Sequence, residues 1–199
     1  MKVKIKKEGK VETFNLINSW SDVTLETWLK LIDFETGTKT EEAEATLEAL
    51  SDIPKRLVKE LALSDVAAIM SKIGELQTKQ DTELKRIIEI NEVEYGFHPD
   101  LDSITLGEYA DIEQFIKNGI DKNLPELMSV LYRPIKEKKN DIYIIDGYDG
   151  DIRMRTEEMK LMSAEQVQSA LVFFYTLGKV LSEIMPLYLM EQLKETKTQ

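Results

Sequence analysis

The stretch Asp102–Pro134, DSITLGEYADIEQFIKNGIDKNLPELMSVLYRP, repeats the organisation of an earlier stretch, Ser21–Pro54. At the centre of the repeat, V-T-L-x-x-W at Val23–Trp28 matches I-T-L-x-x-Y at Ile104–Tyr109. Each stretch follows a segment in which apolar and polar residues alternate, a pattern that predicts a β-hairpin. Each then continues through leucine-rich sequence of helical spacing to a proline. The chain is therefore predicted to contain two hairpin-then-helices units.

The alternation of apolar and polar residues also predicts where the strands of both hairpins lie. In the first hairpin, Lys2–Lys7 leads to a turn at residues 8–10 and the chain returns along Val11–Leu16. In the second hairpin, Leu84–Ile90 and Val93–Phe97 flank a tight turn at Asn91 and Glu92. Because successive side chains of a strand point to opposite faces, one apolar row of each hairpin is expected to face the core.

Helical spacing accounts for most of the remaining sequence. Thr24 and Thr105 suit N-cap positions, because a threonine hydroxyl can accept a hydrogen bond from an N–H of the first turn. Ser163 and Gln166 form a capping box that opens a long apolar helix, which Pro186 kinks or interrupts. Further helices are predicted at residues 41–50, 54–61, 64–73, 106–117, 123–131 and 156–162.

These elements predict an α+β fold that is mostly helical. The first hairpin-plus-helices unit is assigned to residues 1–77 and the second to residues 78–199. The second unit contains an insertion at residues 135–155 and the long C-terminal helix, which is expected to hold both units together. One compact domain and two small lobes are both compatible with this length.

The two units keep a nearly constant separation along the chain. The step from Thr24 to Thr105 is almost the same as the step from Pro54 to Pro134, so the register holds with one slip. Self-similarity at a fixed offset is the usual signature of a repeat. Short apolar motifs also recur by chance, so internal duplication and coincidence both remain open.

Composition excludes several classes of function. The net charge of −11 predicts repulsion from nucleic-acid phosphates and from anionic membrane surfaces. The chain has no cysteine, which excludes disulfides and thiolate metal sites and fits a reducing compartment. No apolar run has the length of a membrane span, and the basic start MKVKIKKEGK lacks the apolar core of a signal peptide.

The sequence predicts no catalytic residue, no metal site and no cofactor. His98 is the single histidine, and no G-x-S-x-G turn is present to offer it a nucleophilic serine. Asp146, Asp149 and Asp151 could offer oxygens to calcium, but the closing glutamate of a calcium loop is missing, so a solvated acidic turn is favoured. The basic cluster in KEKKND at residues 136–141 is interpreted as a flexible loop tip.

The remaining features indicate contacts with other proteins. Methionines are concentrated in the second half of the chain, where they either fill gaps in the core or form an adaptable docking surface. Adjacent aromatic residues near the C-terminus diverge by about 100° around a helix, so one of them is expected to face a second neighbour or a partner. The predicted partner-contact residues are Tyr132, Arg133, Tyr148, Phe173, Tyr175, Met185 and Tyr188.

A resemblance adds to this picture. The order S-W-S-D-V-T-L-x-x-W, E-Y-G-F, I-T-L-G-E-Y-x-D-I-E, L-Y-R-P and F-F-Y resembles proteins of tailed bacteriophages, especially crAss-like phages and relatives that infect Bacteroidetes. Its most specific points are L-Y-R-P at Leu131–Pro134 and T-L-G-E-Y at Thr105–Tyr109. The resemblance implies a virion protein: a tail component, a packaged cargo protein or a tail assembly chaperone.

The expected function is thus non-enzymatic. By the resemblance, the partners are other virion proteins (portal, tail or capsid components), and the location is the virion, with the host bacterial cytoplasm during assembly. A homo-oligomer is compatible with this role, whereas nucleic acid and membrane are not expected partners. The alternative is a small acidic regulatory module, of phage or host, that docks on a basic protein.

Overall fold

The computed structural model describes residues 1–7, 10–33, 38–77 and 83–171. Within them the chain is an α+β protein with two small antiparallel sheets, as the alternating and helical patterns predict. Among these residues no helix is both long enough and apolar enough to cross a membrane. The predicted helix beyond residue 171, with Phe173, Tyr175, Met185 and Tyr188, lies outside the described residues.

The first unit begins with the predicted hairpin. Strand β1 (Lys2–Lys7) pairs with β2 (Lys10–Asn15), from Lys2 opposite Asn15 to Lys7 opposite Lys10. Val3 and Ile5 face inward and are buried, as expected from the alternation. The helices that cover this face follow in chain order: α1 (Leu25–Asp33), α2 (Lys39–Leu50), α3 (Lys55–Val58) and α4 (Leu63–Gln77).

The second unit is built around a larger sheet. Its elements are β3 (Ile87–Ile90), β4 (Val93–Phe97), α5 (Leu106–Lys117), α6 (Leu124–Leu131), β5 (Tyr132–Lys139), β6 (Ile142–Ile145) and α7 (Arg153–Met159). The four strands are antiparallel neighbours in the order β3-β4-β5-β6. The strand β5 continues directly from α6, and Arg133 is extended, as a residue before proline should be.

The described residues form two apolar cores, one mainly in each unit, although Leu25 of α1 is buried in the second core, and the segment 164–171 contributes to both. These residues are helical, and the predicted capping box forms, since Gln166 N–H donates to Ser163 Oγ at 3.2 Å. Ala164 is buried in the first core, whereas Val167 and Ala170 are buried in the second. The described part of the C-terminal helix thus contacts both units, as the sequence predicted.

One predicted loop is wrong. The basic cluster at residues 136–141 was expected at a flexible loop tip, but Lys136–Lys139 lie in strand β5. Lys136 pairs with Asp146 at 3.0 Å and Lys138 pairs with Glu94 of β4, so acidic side chains of the same sheet neutralise these charges. The long charged side chains sit on the exposed end of the sheet, where a strand needs no apolar residues.

The two units share more geometry than the sequence predicted. In the first unit Ile17 N–H donates to Leu50 O at 3.0 Å, and in the second His98 N–H donates to Leu131 O at 2.8 Å. The step from Ile17 to His98 equals the step from Leu50 to Leu131, and the short 3₁₀ helices at residues 20–22 and 101–103 keep the same spacing. In each unit the end of the hairpin is therefore held by the residue that ends the second long helix.

The chain separation between matched elements of the two units changes at the first strands of the hairpins and not at the helices. The inward-facing residues Val3 and Ile5 correspond to Ile88 and Ile90, because both pairs occupy the same places opposite the returning strand. The first strands of the two hairpins lie farther apart in the sequence than the other matched elements do. The reason is that the first hairpin has additional cross-strand pairs toward its tip.

Candidate functional site

Tyr132 and Arg133, two of the predicted partner-contact residues, lie inside the protein. Tyr132 is fully buried, its ring meets that of Phe97 edge-on with centroids 5.2 Å apart, and its hydroxyl donates to Lys85 O at 2.8 Å. The pKa of Tyr132 is raised by burial and by the neighbouring Tyr143. In this conformation both side chains serve the core, so the prediction that they contact a partner is not supported by their burial.

Arg133 forms a buried ion pair with Glu108. Its Nη2 lies 2.7 Å from Glu108 Oε1, and the two residues are 4% and 2% exposed. The guanidinium carbon lies 5.8 Å from the centroid of the Tyr148 ring, within the range of a cation–π contact. Burial lowers the pKa of Arg133, while the Glu108 carboxylate opposes that shift. The pair joins strand β5 to helix α5 in the interior.

Glu108 is held at the start of α5 by the threonine that caps this helix. Thr105 N–H and Oγ1–H both donate to Glu108 Oε2, at 2.7 and 2.6 Å, and Glu108 N–H donates back to Thr105 Oγ1 at 3.3 Å. Burial alone would raise the pKa of Glu108, but the hydrogen bonds from Thr105 and the charge of Arg133 outweigh it. The pKa of Glu108 is therefore lowered, and the group is a carboxylate at neutral pH.

His98 completes this buried cluster. Its Nε2 lies 3.6 Å from Glu108 Oε1, and the residue is buried at the end of β4. Burial lowers the pKa of His98, and the nearby Glu108 carboxylate only partly offsets the shift. The imidazole is therefore neutral at pH 7. We refer to Glu108, Arg133 and His98 as the buried cluster.

The buried cluster contains groups that can move protons, but its geometry favours a structural role. A general base must come within hydrogen-bond reach of the proton that it takes from a substrate. The three residues are covered by the sheet and by α5, and the Glu108 carboxylate is already engaged by Thr105 and Arg133. The cluster fixes the helix, the strand end and β5 to one another.

Tyr148 remains accessible in part. Its ring packs against the second core and its hydroxyl donates to the Asp111 carboxylate. Burial and this hydrogen bond raise the pKa of Tyr148. Tyr148 is half-buried and Arg133 lies over its ring, and contact of Tyr148 with a partner stays a prediction.

The three aspartates of the acidic loop have different partners, and Asp149 Oδ1 accepts from Asp151 N–H at 3.1 Å. Asp146 pairs with Lys136 at 3.0 Å, and Asp151 accepts two hydrogen bonds of 2.9 Å from the Arg153 guanidinium. These hydrogen bonds lower the pKa of Asp151 to about 2. In the part of the chain that the structure describes, no three histidine or carboxylate side chains are arranged to hold a metal ion.

The insertion exposes apolar side chains on strand β6 and, at Met154, on α7. Ile142 and Ile144 are 79% and 57% exposed, whereas Tyr143 between them is buried. Among the described residues, strand β6 is the last strand of its sheet and pairs only with β5. The alternation in I-Y-I-I predicts a strand with two faces, but the sequence does not say which face is buried. We refer to Ile142 and Ile144 as the β6 edge.

The starts of helices α1 and α5 differ in what covers them. Leu25, the first residue of α1, is 0% exposed, and its N–H donates to Met162 O at 2.7 Å. Leu106, the first residue of α5, is the counterpart of Leu25 in the repeat and is 83% exposed. Both helices are capped by a threonine whose Oγ1 accepts from the N–H of the third residue after it, at 3.2 and 3.3 Å. The starts of α1 and α5 thus have the same capping geometry, but among the described residues only the start of α1 is covered by another segment.

Comparison of the chain with protein-family models, with curated proteins and with solved structures gives no match.

Proposed function

We propose that the chain is a non-enzymatic protein of a tailed-bacteriophage particle, or of its assembly, that binds other particle proteins such as portal, tail or capsid components. The sequence resemblance supports the phage assignment. The observation that carries the binding role is the β6 edge, an apolar and β-branched row on the free side of a sheet. The proposal includes the duplication: the two units are copies of one ancestral hairpin-and-helices module.

The duplication is supported by hydrogen bonds rather than by residue identity. The pairs Ile17–Leu50 and His98–Leu131 occupy the same place in both units, and the side chains differ at each of these positions except for the leucines. Matching geometry with divergent side chains is what is expected when a fold is kept while its surfaces change. A duplicated scaffold of this kind offers two related surfaces to partners.

The β6 edge has the properties of an interaction site. An exposed sheet edge presents unpaired backbone N–H and C=O groups, and soluble proteins usually protect such an edge with charged residues or proline. Here the neighbouring strand β5 carries the lysines, and β6 carries Ile142 and Ile144. An extended segment of a partner can add to such an edge, with main-chain hydrogen bonds for affinity and side-chain pockets for specificity.

A second candidate function is an acidic regulatory module that docks on a basic protein. The net charge of −11 supports it, because complementary charge steers encounter with a basic partner. The two functions differ in where the chain is found. A regulatory module is absent from purified particles, whereas a particle protein is present in a defined number of copies.

Mass spectrometry of purified phage particles tests the proposed function. We expect the chain in the particles at a fixed stoichiometry. Replacing an edge residue, Ile144→Lys, should reduce incorporation, because a charge cannot be buried in an apolar interface without a partner. Val11→Lys is the matched control, since Val11 is a strand residue of similar exposure, 59% against 57% for Ile144.

The proposal fails if the wild-type chain is missing from particles. If it is present and both lysine variants are incorporated equally, the particle role stands and the β6 edge is not the contact. Circular dichroism of each purified variant checks that the fold is kept.

A further inference from the structure

The start of helix α1 is covered by a segment of the chain's own second half. Thr24 and Ser163 form an antiparallel bridge, and Ala164 N–H donates to Val23 O at 2.7 Å. The segment then turns into a helix at residue 164. The first unit therefore binds the turn that ends α7, in which Lys160 has φ −60° and ψ −25°, and this turn leads through Ser163 directly into the next helix.

This cover satisfies the N–H groups that open α1. The first N–H groups of a helix have no partner within the helix. In α1, Leu25 N–H donates to Met162 O at 2.7 Å and Glu26 N–H donates to Lys160 O at 3.0 Å. Met162 is fully buried beside Leu25 in the second core. The covering segment thus supplies two carbonyl acceptors and one apolar side chain.

The corresponding place on α5 has the same backbone geometry without a cover. Thr105 has φ −71° and ψ 159°, the extended conformation of an N-cap, and its hydroxyl caps α5 as Thr24 caps α1. Leu106 and Gly107 take the positions of Leu25 and Glu26. Across the described ranges of the chain, no carbonyl outside α5 accepts from the N–H of Leu106 or Gly107, and Leu106 is 83% exposed.

We propose that the start of α5, residues 104–107, is a docking site for a segment of a partner protein that repeats the pattern of residues 160–164. The partner segment is a turn of this kind, carries an apolar residue followed by a small one, and leads into a helix. Its carbonyls accept from Leu106 and Gly107 N–H, and its apolar side chain covers Leu106. This inference rests on the proposed role in binding particle proteins and names the surface and the partner's chemistry.

The segment that covers α1 in the first unit indicates which kind of partner segment fits the start of α5. This covering segment is the kind of chain that packs on a threonine-capped helix start followed by leucine. The site on α5 differs mainly by Gly107 in place of Glu26, and a Cβ on Gly107 would meet no atom within 4 Å. Within residues 1–7, 10–33, 38–77 and 83–171, the packing therefore leaves the place open to a backbone that approaches from outside.

Proline tests the site without breaking the fold. The substitution Leu106→Pro removes both the docking N–H and the apolar side chain, and proline is well tolerated at the first position of a helix. The residue before a proline must be extended, and Thr105 already is. We therefore expect Leu106→Pro to keep the stability of the wild type, as judged by urea denaturation.

The probe is a synthetic peptide with the sequence of residues 158–171, which carries the covering segment and the start of its helix. We expect it to bind the full chain, as followed by fluorescence anisotropy, with amide shifts at Leu106 and Gly107 in NMR spectra. Leu106→Pro should weaken binding by about tenfold or more, since a hydrogen bond and an apolar contact are lost. Leu63→Asp, at the exposed first residue of α4, is the control and should leave binding unchanged.

Absence of binding, or binding that Leu106→Pro does not weaken, overturns the inference. The latter result would mean that the peptide exchanges with the segment on α1. Neither result touches the proposed function, which depends on the presence of the chain in particles. Conversely, peptide binding to the α5 site with no chain in particles would keep the docking site and discard the particle role.

Discussion

Arg133 and Glu108 are joined in the interior of the second unit, with Nη2 and Oε1 2.7 Å apart. In the first unit, the residues at the chain offset that separates Thr24 from Thr105 are Thr27 and Asp52, which cannot form such a pair. There Asp52 Oδ1 accepts from Asn15 N–H at 2.6 Å near the surface. The ion pair is thus a property of the second unit alone, where it ties β5 to the capped start of α5.

Removing one partner of this pair should be costly. Arg133→Met leaves the Glu108 carboxylate buried without its counter-charge, and breaking a buried pair in this way typically costs about 3–5 kcal/mol. Glu108→Gln combined with Arg133→Met should recover part of that loss, because the remaining amide carries no charge. Urea denaturation at pH 7 measures both.

The control for this prediction is the exposed pair of Lys117 and Glu113, whose side chains approach to 3.0 Å on the surface of α5. Lys117→Met should change stability little, because exposed ion pairs are screened by water and salt. A small effect of Arg133→Met, comparable to that of Lys117→Met, would show that Glu108 is not held by Arg133.

Stability should fall as the solution is acidified from pH 7 to pH 5, and His98 should account for the change. The pKa of His98 is lowered in the folded chain from its ordinary value of 6.5, chiefly by burial, so the unfolded chain binds the proton more readily. Stability therefore rises with pH in this window and is lost as pH falls below 6.5 toward the folded pKa. Denaturation midpoints at several pH values measure the slope.

His98→Gln should flatten that slope, since the chain has no other histidine. The pKa of Glu108 is also lowered, but from 4.5, so its contribution is lost only at more acidic pH. NMR titration of the single imidazole gives an independent value. A His98 pKa at or above 6.5, or an unchanged slope in His98→Gln, contradicts the prediction.

The local features of the fold could be predicted from sequence. Hairpin strands, threonine caps and the Ser163–Gln166 capping box depend on residues close together in the chain, and these predictions were confirmed, except that the strand predicted from Leu84 begins at Ile87. Burial of Tyr132 and Arg133 could not be predicted in the same way. Arginine is seldom buried unless paired, and Glu108, the partner of Arg133, lies on helix α5, well separated from strand β5 in the chain.

The exposed apolar residues were missed for a related reason. Leu106 and Leu25 occupy the same position in T-L-x-x-[WY], and the sequence treats them alike. Only the segment around Met162, far along the chain, makes one of them core and leaves the other exposed. The candidate sites on α5 and β6 therefore emerge from tertiary packing and not from the motif.

Gly96→Ala should destabilise the protein because the ring of Tyr143 lies on this glycine. A Cβ at Gly96 would clash with the Tyr143 ring and would come within 2.9 Å of Ile145. The ring has little freedom to move, since the Tyr143 hydroxyl donates to Phe97 O at 2.7 Å. Overpacking of this kind costs about 1–3 kcal/mol, which urea denaturation will measure.

Gly74→Ala is the matched control for this prediction. Gly74 lies within α4, and a Cβ there would meet no atom within 4 Å. Alanine stabilises a helix relative to glycine by about 0.5–1 kcal/mol. If both substitutions raise stability, the close contact of Tyr143 with Gly96 is not a constraint on the fold.

Glu92→Gly should stabilise the second hairpin. Ile90 pairs with Val93, so Asn91 and Glu92 form a two-residue turn, and their φ angles of 50° and 66° are both left-handed. Turns of this type favour Asn-Gly, because glycine has no Cβ to strain the backbone there. The gain should be about 1 kcal/mol. The Asn91 side chain keeps its hydrogen bond to Glu158 Oε2 at 2.9 Å.

The control Glu12→Gly places glycine in the interior of β2, where Glu12 pairs with Ile5. Glycine there weakens the strand by about 0.5–1 kcal/mol, because the unfolded chain gains conformational freedom. Opposite signs for the two substitutions, measured by thermal and urea denaturation, would show that the left-handed turn sets the outcome. Destabilisation by both would mean that Glu92 makes a contribution in the native turn that exceeds the relief of its backbone strain.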